Sequence, residues 1–232
     1  MIMAEKVQIL LQLNEKFSES LKKCLVADTD AFTAVEIKTR SLAVLGQILS
    51  EKVEVLTPHQ KEMLPIFDEV FSDIIISIYL SGCSLDKPAQ SVLRRALEIG
   101  VAAVFLWDQP CAFWDWKMHD SDLNFNDMLE YLSKSRYKTF LKSLNADYQD
   151  EELTDFKMAR NLYRCLSNTT HGKITTFETL LPERFSFNEE DWKSHISLVS
   201  QVVDVVVGLW KKRFYYAIPP LHERLSALTR GY

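Results

Sequence analysis

Apolar residues recur at helical spacing along nearly the whole chain. Roughly 4–26 carries Val7, Leu10, Leu11, Phe17, Leu21 and Leu25 on that period. Roughly 31–55 repeats it with Ala34, Ile37, Leu42, Leu45, Ile48 and Leu49, behind a cap at Asp28 or Asp30. Thr57 and Pro58 form a start signal for a third helix that runs to about Ser81, with Pro65 marking a kink. Asp86 and Pro88 open a fourth. From Ala96 to Trp107 this helix is apolar all round apart from Glu98, which places it in the middle of a bundle. Q-P-C-A-F-W-D-W breaks the pattern and predicts an aromatic-rich loop or short helix to about Ser121. Asp122 is the expected cap of a helix over roughly 123–144, and Asp150 or Glu151 starts the next, which Gly172 stops. The stretch from Thr175 to Phe187 is less periodic and reads as a loop or a short extended piece. Asn188 then caps a last long helix of roughly 189–216, ended by Pro219-Pro220, with a short tail helix after it.

The expected fold is therefore all-α, a bundle of about seven helices. Six Gly and seven Pro in 232 residues are too few for the many turns of a sandwich or barrel. The chain shows no internal repeat and no Gly/Ser linker. It divides either as an N-terminal helical region, 1–85, followed by a bundle, 86–232, or as one continuous domain. With 47% hydrophobic and 25% charged residues it has globular composition. The net charge of −5 advertises no nucleic acid through the average field, and leaves room for a local basic site. Cys24, Cys83, Cys111 and Cys165 are scattered, with no C-x-x-C, so reduced buried thiols in a cytoplasm are expected. The N-terminal residues read as an amphipathic helix and not a signal peptide. The longest apolar runs fall short of the roughly 20 residues that span a bilayer, so no membrane is expected.

One stretch carries candidate chemistry: Y-R-C-L-S-N-T-T-H-G, Tyr163 to Gly172. At about 100° per residue, Arg160, Arg164, Ser167 and His171 fall within roughly 60° of one another. Phe156, Ala159, Leu162, Tyr163 and Leu166 fill the adjacent arc, so the polar stripe sits on the shoulder of the core-facing surface. Histidine exchanges a proton near neutral pH, and arginine holds phosphate with a planar fork. Together they suit activation of an RNA 2′-hydroxyl and stabilisation of the charged phosphorane, with Ser167 and Asn168 adding hydrogen bonds. The plain alternative is a cationic helix end that complements the helix dipole.

R-C-L-S-N-T-T-H has the form R-x6-H near the end of a late helix, and resembles the HEPN superfamily, whose motif is R-x4–6-H. The chain is most similar to branches with an R-x-x-x-E helix followed by a Y-R-x-L-S-x-x-x-H helix. Here these are R-A-L-E from Arg95 to Glu98, or R-R-A-L-E read from Arg94, and Tyr163 to His171. The likeness covers roughly 86–215. It implies a helical bundle that dimerises through the motif helix, metal-independent RNA cleavage with Arg164 and His171 as the catalytic pair, and a toxin–antitoxin or antiphage role. RNA, a second copy of the chain and a protein partner or antitoxin are the implied partners, with no cofactor. Active members carry Asn, Asp or His after the arginine, where this chain has Cys165. That departure favours a second implication, a non-catalytic module binding a protein, a nucleotide or RNA.

Arg94 and Glu98, one turn apart in the most apolar helix, read first as an ion pair that fixes packing, and second as groups near His171. Asp115, His119, Asp120 and Asp122 read as surface acids and a surface histidine more than as a metal site. Trp107, Trp114 and Trp116 read as core or interface anchors. Lys211-Lys212-Arg213 suits the helix dipole or an RNA backbone. His59, His195 and His222 read as structural or exposed. The chain contains no G-x-G-x-x-G, P-loop, H-E-x-x-H or G-x-S-x-G.

Overall fold

The computed structural model describes residues 2–27, 29–119, 121–146, 148, 151–170 and 185–217. Among them the chain is helical, with ten α-helices and two short 3-10 turns. The count exceeds seven for identifiable reasons. The third helix divides at Leu64 into α3 (Pro58–Met63) and α4 (Pro65–Gly82), because Pro65 has no N–H to continue the ladder. The aromatic stretch forms its own helix, α6 (Pro110–His119).

The expected helix over 123–144 is two, α7 (Phe125–Ser133) and α8 (Ser135–Leu144), divided at Lys134, whose backbone is extended. Neither Pro nor Gly marks this break. Lys134 is flanked by two serines, which compete with the helix for backbone hydrogen bonds. Ser133 spends its hydroxyl on the Glu130 carbonyl. The cap of α7 is Asn124 and not Asp122, its side-chain oxygen accepting from the N–H groups of Asn126 and Asp127 at 2.9 and 3.2 Å.

α1 (Ile2–Cys24) and α2 (Thr29–Glu51) begin the chain. Asp30 falls inside the first turn of α2, and Asp28 lies outside the described residues. The apolar stripe of α1 is only partly used. Cys24 is buried and Leu21 half-buried, while Leu10 and Leu11 stand exposed. α2 buries Leu42, Leu45, Ile48 and Leu49 as its period predicts, but leaves Ile37 exposed.

α5 (Asp86–Trp107) is the axis of the bundle. Helices α4, α7, α9 (Phe156–Thr170) and α10 (Glu189–Arg213) all pack on it. Small residues on α5 let neighbours come close. A Cβ on Gly100 would lie 2.6 Å from a Val206 methyl, and at that approach Trp210 donates its indole N–H to the Gly100 carbonyl at 2.8 Å. Phe67, Trp107, Trp210 and Phe214 close this end of the core edge to face, with centroids 4.7–5.9 Å apart. Beside them Asp108 accepts from Arg213 Nε and Tyr137 Oη, each at 2.7 Å, fastening α8 and α10 to the end of α5. One buried cluster draws residues from α2 and α4 as well as from α5, α9 and α10.

The long helix α10 starts at Asn188 as its sequence predicts, the Asn188 side chain accepting from Glu190 and Asp191 N–H groups. α9 starts later than expected. Glu151 to Asp155 is not helical, because Leu153 is fully buried and its carbonyl crosses α10 at Gly208, where a Cβ would come within 3.1 Å. Lys212 fastens this strap through the Glu151 carboxylate at 3.1 Å and the Glu152 carbonyl. The Asp155 carboxylate then caps α9, accepting the Met158 N–H at 2.8 Å. Asp150, Gly172, the stretch 171–184 and Pro219-Pro220 lie outside the described residues.

Candidate functional site

α9 is positioned by three contacts that none of its own residue types reveals. Tyr163 stacks on Phe125 of α7, with centroids 4.3 Å apart and planes within 14°. Arg94 of α5 donates to the Tyr163 hydroxyl at 3.0 Å. Thr169 in the last turn donates to the side chain of Gln90, also on α5, at 2.5 Å. Underneath, Phe156, Ala159, Leu162 and Leu166 are buried, the arc that periodicity places there, and Tyr163 is half-buried at its edge.

The polar shoulder of α9 forms one wall of a groove of about 590 Å³ between α9 and α7. Arg160, Arg164, Ser167 and Asn168 all line it, so four of the sequence-predicted residues share one cleft. Lys157 joins them as a third cation, and Asn126, Asn161 and Tyr163 complete the lining. Lys157 sits three residues before Arg160 and seven before Arg164, so extending the stripe by one turn finds it. Asn126 comes from α7 and has no such signal. No acidic residue is among the described residues lining the groove. Outside that lining, the Glu130 carboxyl is held below its usual range by Lys134 first and by Arg160 more weakly.

The side chains have distinct states. Arg164 is exposed and donates to the Asn161 side-chain oxygen at 3.1 Å, which leaves most of its fork available. Ser167 donates to the Tyr163 carbonyl one turn back at 2.6 Å, so its hydroxyl proton is spent on the helix and only its lone pairs face a ligand. His171 follows Thr170, the last residue of α9, and lies outside the described residues, as does His222. Cys165 is exposed and lines a separate groove of about 410 Å³, on the α10 side of α9 with Leu198 and Gln201. It does not share the cleft of Arg164.

The two arginines of α5 part company. Arg95 turns to α4, donating to both Asp73 oxygens at 2.6 and 2.8 Å and to Glu69 at 2.5 Å, and fixes that helix pair. Arg94 turns to α9, with its Nη2 3.0 Å from Glu98 and 3.0 Å from the Tyr163 hydroxyl. The R-x-x-x-E pair adjoining the motif helix is thus Arg94 and Glu98. It is both the ion pair expected from its spacing and a neighbour of the groove.

Other candidates resolve structurally. Asp115, His119 and Asp122 are exposed, Asp120 lies outside the described residues, and no cluster of three or more metal-ligating side chains occurs among the described residues. Trp107 is core, while Trp114 and Trp116 are about one-third exposed. Of the cationic run ending α10, Lys212 holds the strap and Arg213 is buried against Asp108 at 2.5 Å, so neither is spare for an RNA backbone. His59 is structural, bridging Thr57 and the Trp107 carbonyl. So is His195, bonded to Ser77 at 2.9 Å and held down to a pKa of about 4 by burial. No helix among the described residues is long and apolar enough to cross a membrane.

No known family model, curated protein or solved structure matches the chain. Chemically, the groove offers three permanent or near-permanent cations, three side-chain amides and two hydroxyl oxygens without a competing lining carboxylate. Such a set neutralises and hydrogen-bonds phosphate oxygens.

Proposed function

We propose that the chain is a HEPN-like, metal-independent endoribonuclease, acting in a cytoplasmic toxin or antiphage role. The observation that supports this reading is the convergence of Lys157, Arg160, Arg164 and Asn168 on one groove along the helix that leads directly into His171. In this reading an RNA phosphodiester sits against Arg164. His171 takes the proton of the 2′-hydroxyl, the 2′-oxygen attacks the adjacent phosphorus, and the P–O5′ bond breaks. The departing 5′-oxygen takes a proton from water, and His171 returns the 2′-hydroxyl proton to solvent. The products are a 2′,3′-cyclic phosphate and a 5′-hydroxyl. Arg164 and Arg160 stabilise the extra charge of the phosphorane, a role worth several kcal/mol at a well-placed donor, on the order of 3 per group. A homodimer would bring two such helices to one cleft and double its cations.

RNA incubated with the wild type in EDTA is the test. Cleavage is expected, with loss in His171→Ala and Arg164→Ala. Binding without cleavage by the wild type, at high protein concentration, sinks the nuclease reading. It leaves the non-catalytic module that holds RNA or a nucleotide, the reading that Cys165 directly after Arg164 favours.

A further inference from the structure

Tyr163 belongs by periodicity to the apolar arc of α9, yet it lines the basic groove. Its ring is fixed by stacking on Phe125, which is itself 2% exposed. Its oxygen accepts from Arg94 Nη2 at 3.0 Å. A guanidinium has donors and no acceptor, so that bond does not use the phenolic proton. Among the described residues the proton meets no acceptor. Arg94 is in turn anchored by Glu98 at 3.0 Å, and its guanidinium carbon lies 4.9 Å from the ring centroid. A donor whose oxygen already accepts from a cation is polarised and bonds an anion more strongly. The hydroxyl of Ser167, the other one in the groove, has already spent its proton on the helix.

We infer that the Tyr163 hydroxyl donates a hydrogen bond to a phosphate oxygen of an RNA strand lying in the groove, and that Arg94, held by Glu98, is a positioning residue that acts through Tyr163. The inference rests on the RNA reading of the groove. It adds a neutral ligand-binding residue to the cations, and it gives the Arg94–Glu98 pair a task beyond packing.

The test is binding of a short, fluorescently labelled 2′-O-methyl oligoribonucleotide, which lacks the attacking hydroxyl, followed by anisotropy across a salt series. Tyr163→Phe keeps the ring and its stacking on Phe125, and is expected to weaken binding about tenfold at every salt concentration. Because a phenol releases no counterion, the slope of log affinity against log salt stays at the wild-type value. Lys157→Ala lowers the magnitude of that slope by about 0.7, as loss of one phosphate contact on a single strand does. Arg94→Met weakens binding several-fold in the wild-type background and has no further effect in Tyr163→Phe, measured near physiological salt where distant charges are screened. Equal affinity of Tyr163→Phe and wild type overturns the role of Tyr163. The same loss from Arg94→Met in both backgrounds overturns the positioning role. A wild type that does not bind the oligonucleotide at all overturns the RNA reading of the groove itself.

Discussion

Acid should weaken this protein through the buried His195. Ser77 has one hydroxyl proton, and it donates that proton to the Ala89 carbonyl at 2.8 Å. The 2.9 Å contact between Ser77 Oγ and His195 Nε2 therefore has the histidine as donor. Nδ1 is left with a bare lone pair, buried and without a partner. Protonating it would place a cation in the core whose Nδ1–H has no acceptor. Burial accordingly holds the pKa down to about 4, against 6.5 for an ordinary histidine. The unfolded chain takes up this proton as pH falls below 6.5, and the folded chain does not until about 4. Stability is thus fully present above pH 6.5 and drains away as pH falls through the window to about 4. At about 1.4 kcal/mol per pKa unit, the loss reaches about 2 kcal/mol by pH ~5 and about 3 at full extent. Urea unfolding of wild type and His195→Gln, at pH ~7.5 and pH ~5, measures it. Glutamine keeps an N–H near Nε2 and cannot titrate, so its variant should lose about 2 kcal/mol less than the wild type over that interval. Equal losses would mean that the folded chain protonates His195 as readily as the unfolded one, and that burial does not hold the ring neutral.

Gly100→Ala sets a methyl against Val206 at the tightest approach of α5 and α10, and should cost about 1–3 kcal/mol in denaturant unfolding; Val206→Ala should return part of it. Asp108→Asn leaves the Arg213 charge in a site only 5% exposed, and should cost about 3–5 kcal/mol by thermal or urea melts. The double variant Asp108→Asn/Arg213→Met should lose clearly less than the sum of the single changes. Light scattering on the purified chain should give the mass of a dimer if two motif helices share one cleft.

Much of the architecture was legible because helices bury stripes. The all-round apolar run from Ala96 to Trp107 places α5 at the centre, and Asn188 and Pro65 mark a start and a break where the structure has them. What escaped depends on tertiary contacts. The break at Lys134 has no Pro or Gly. The late start of α9 follows from Leu153 burying its side chain and passing its carbonyl over Gly208. The apolar face of α1 is periodic yet half unused, because periodicity reports a stripe and not the partner that covers it. In the site, Arg160, Arg164, Ser167 and Asn168 were readable at i, i+4, i+7 and i+8. Asn126 and Phe125 reach it from another helix, and the phenol of Tyr163 is held by an arginine 69 residues away.

The central claim is that this groove presents an RNA phosphodiester to Arg164 and His171 for attack by its own 2′-oxygen. End-group analysis of a defined oligoribonucleotide, cut in the presence of EDTA, tests it most directly. The account predicts 2′,3′-cyclic phosphate and 5′-hydroxyl ends, with no cutting at any position blocked by 2′-O-methylation. Cleavage at a blocked position, or products carrying a 5′-phosphate, would contradict it.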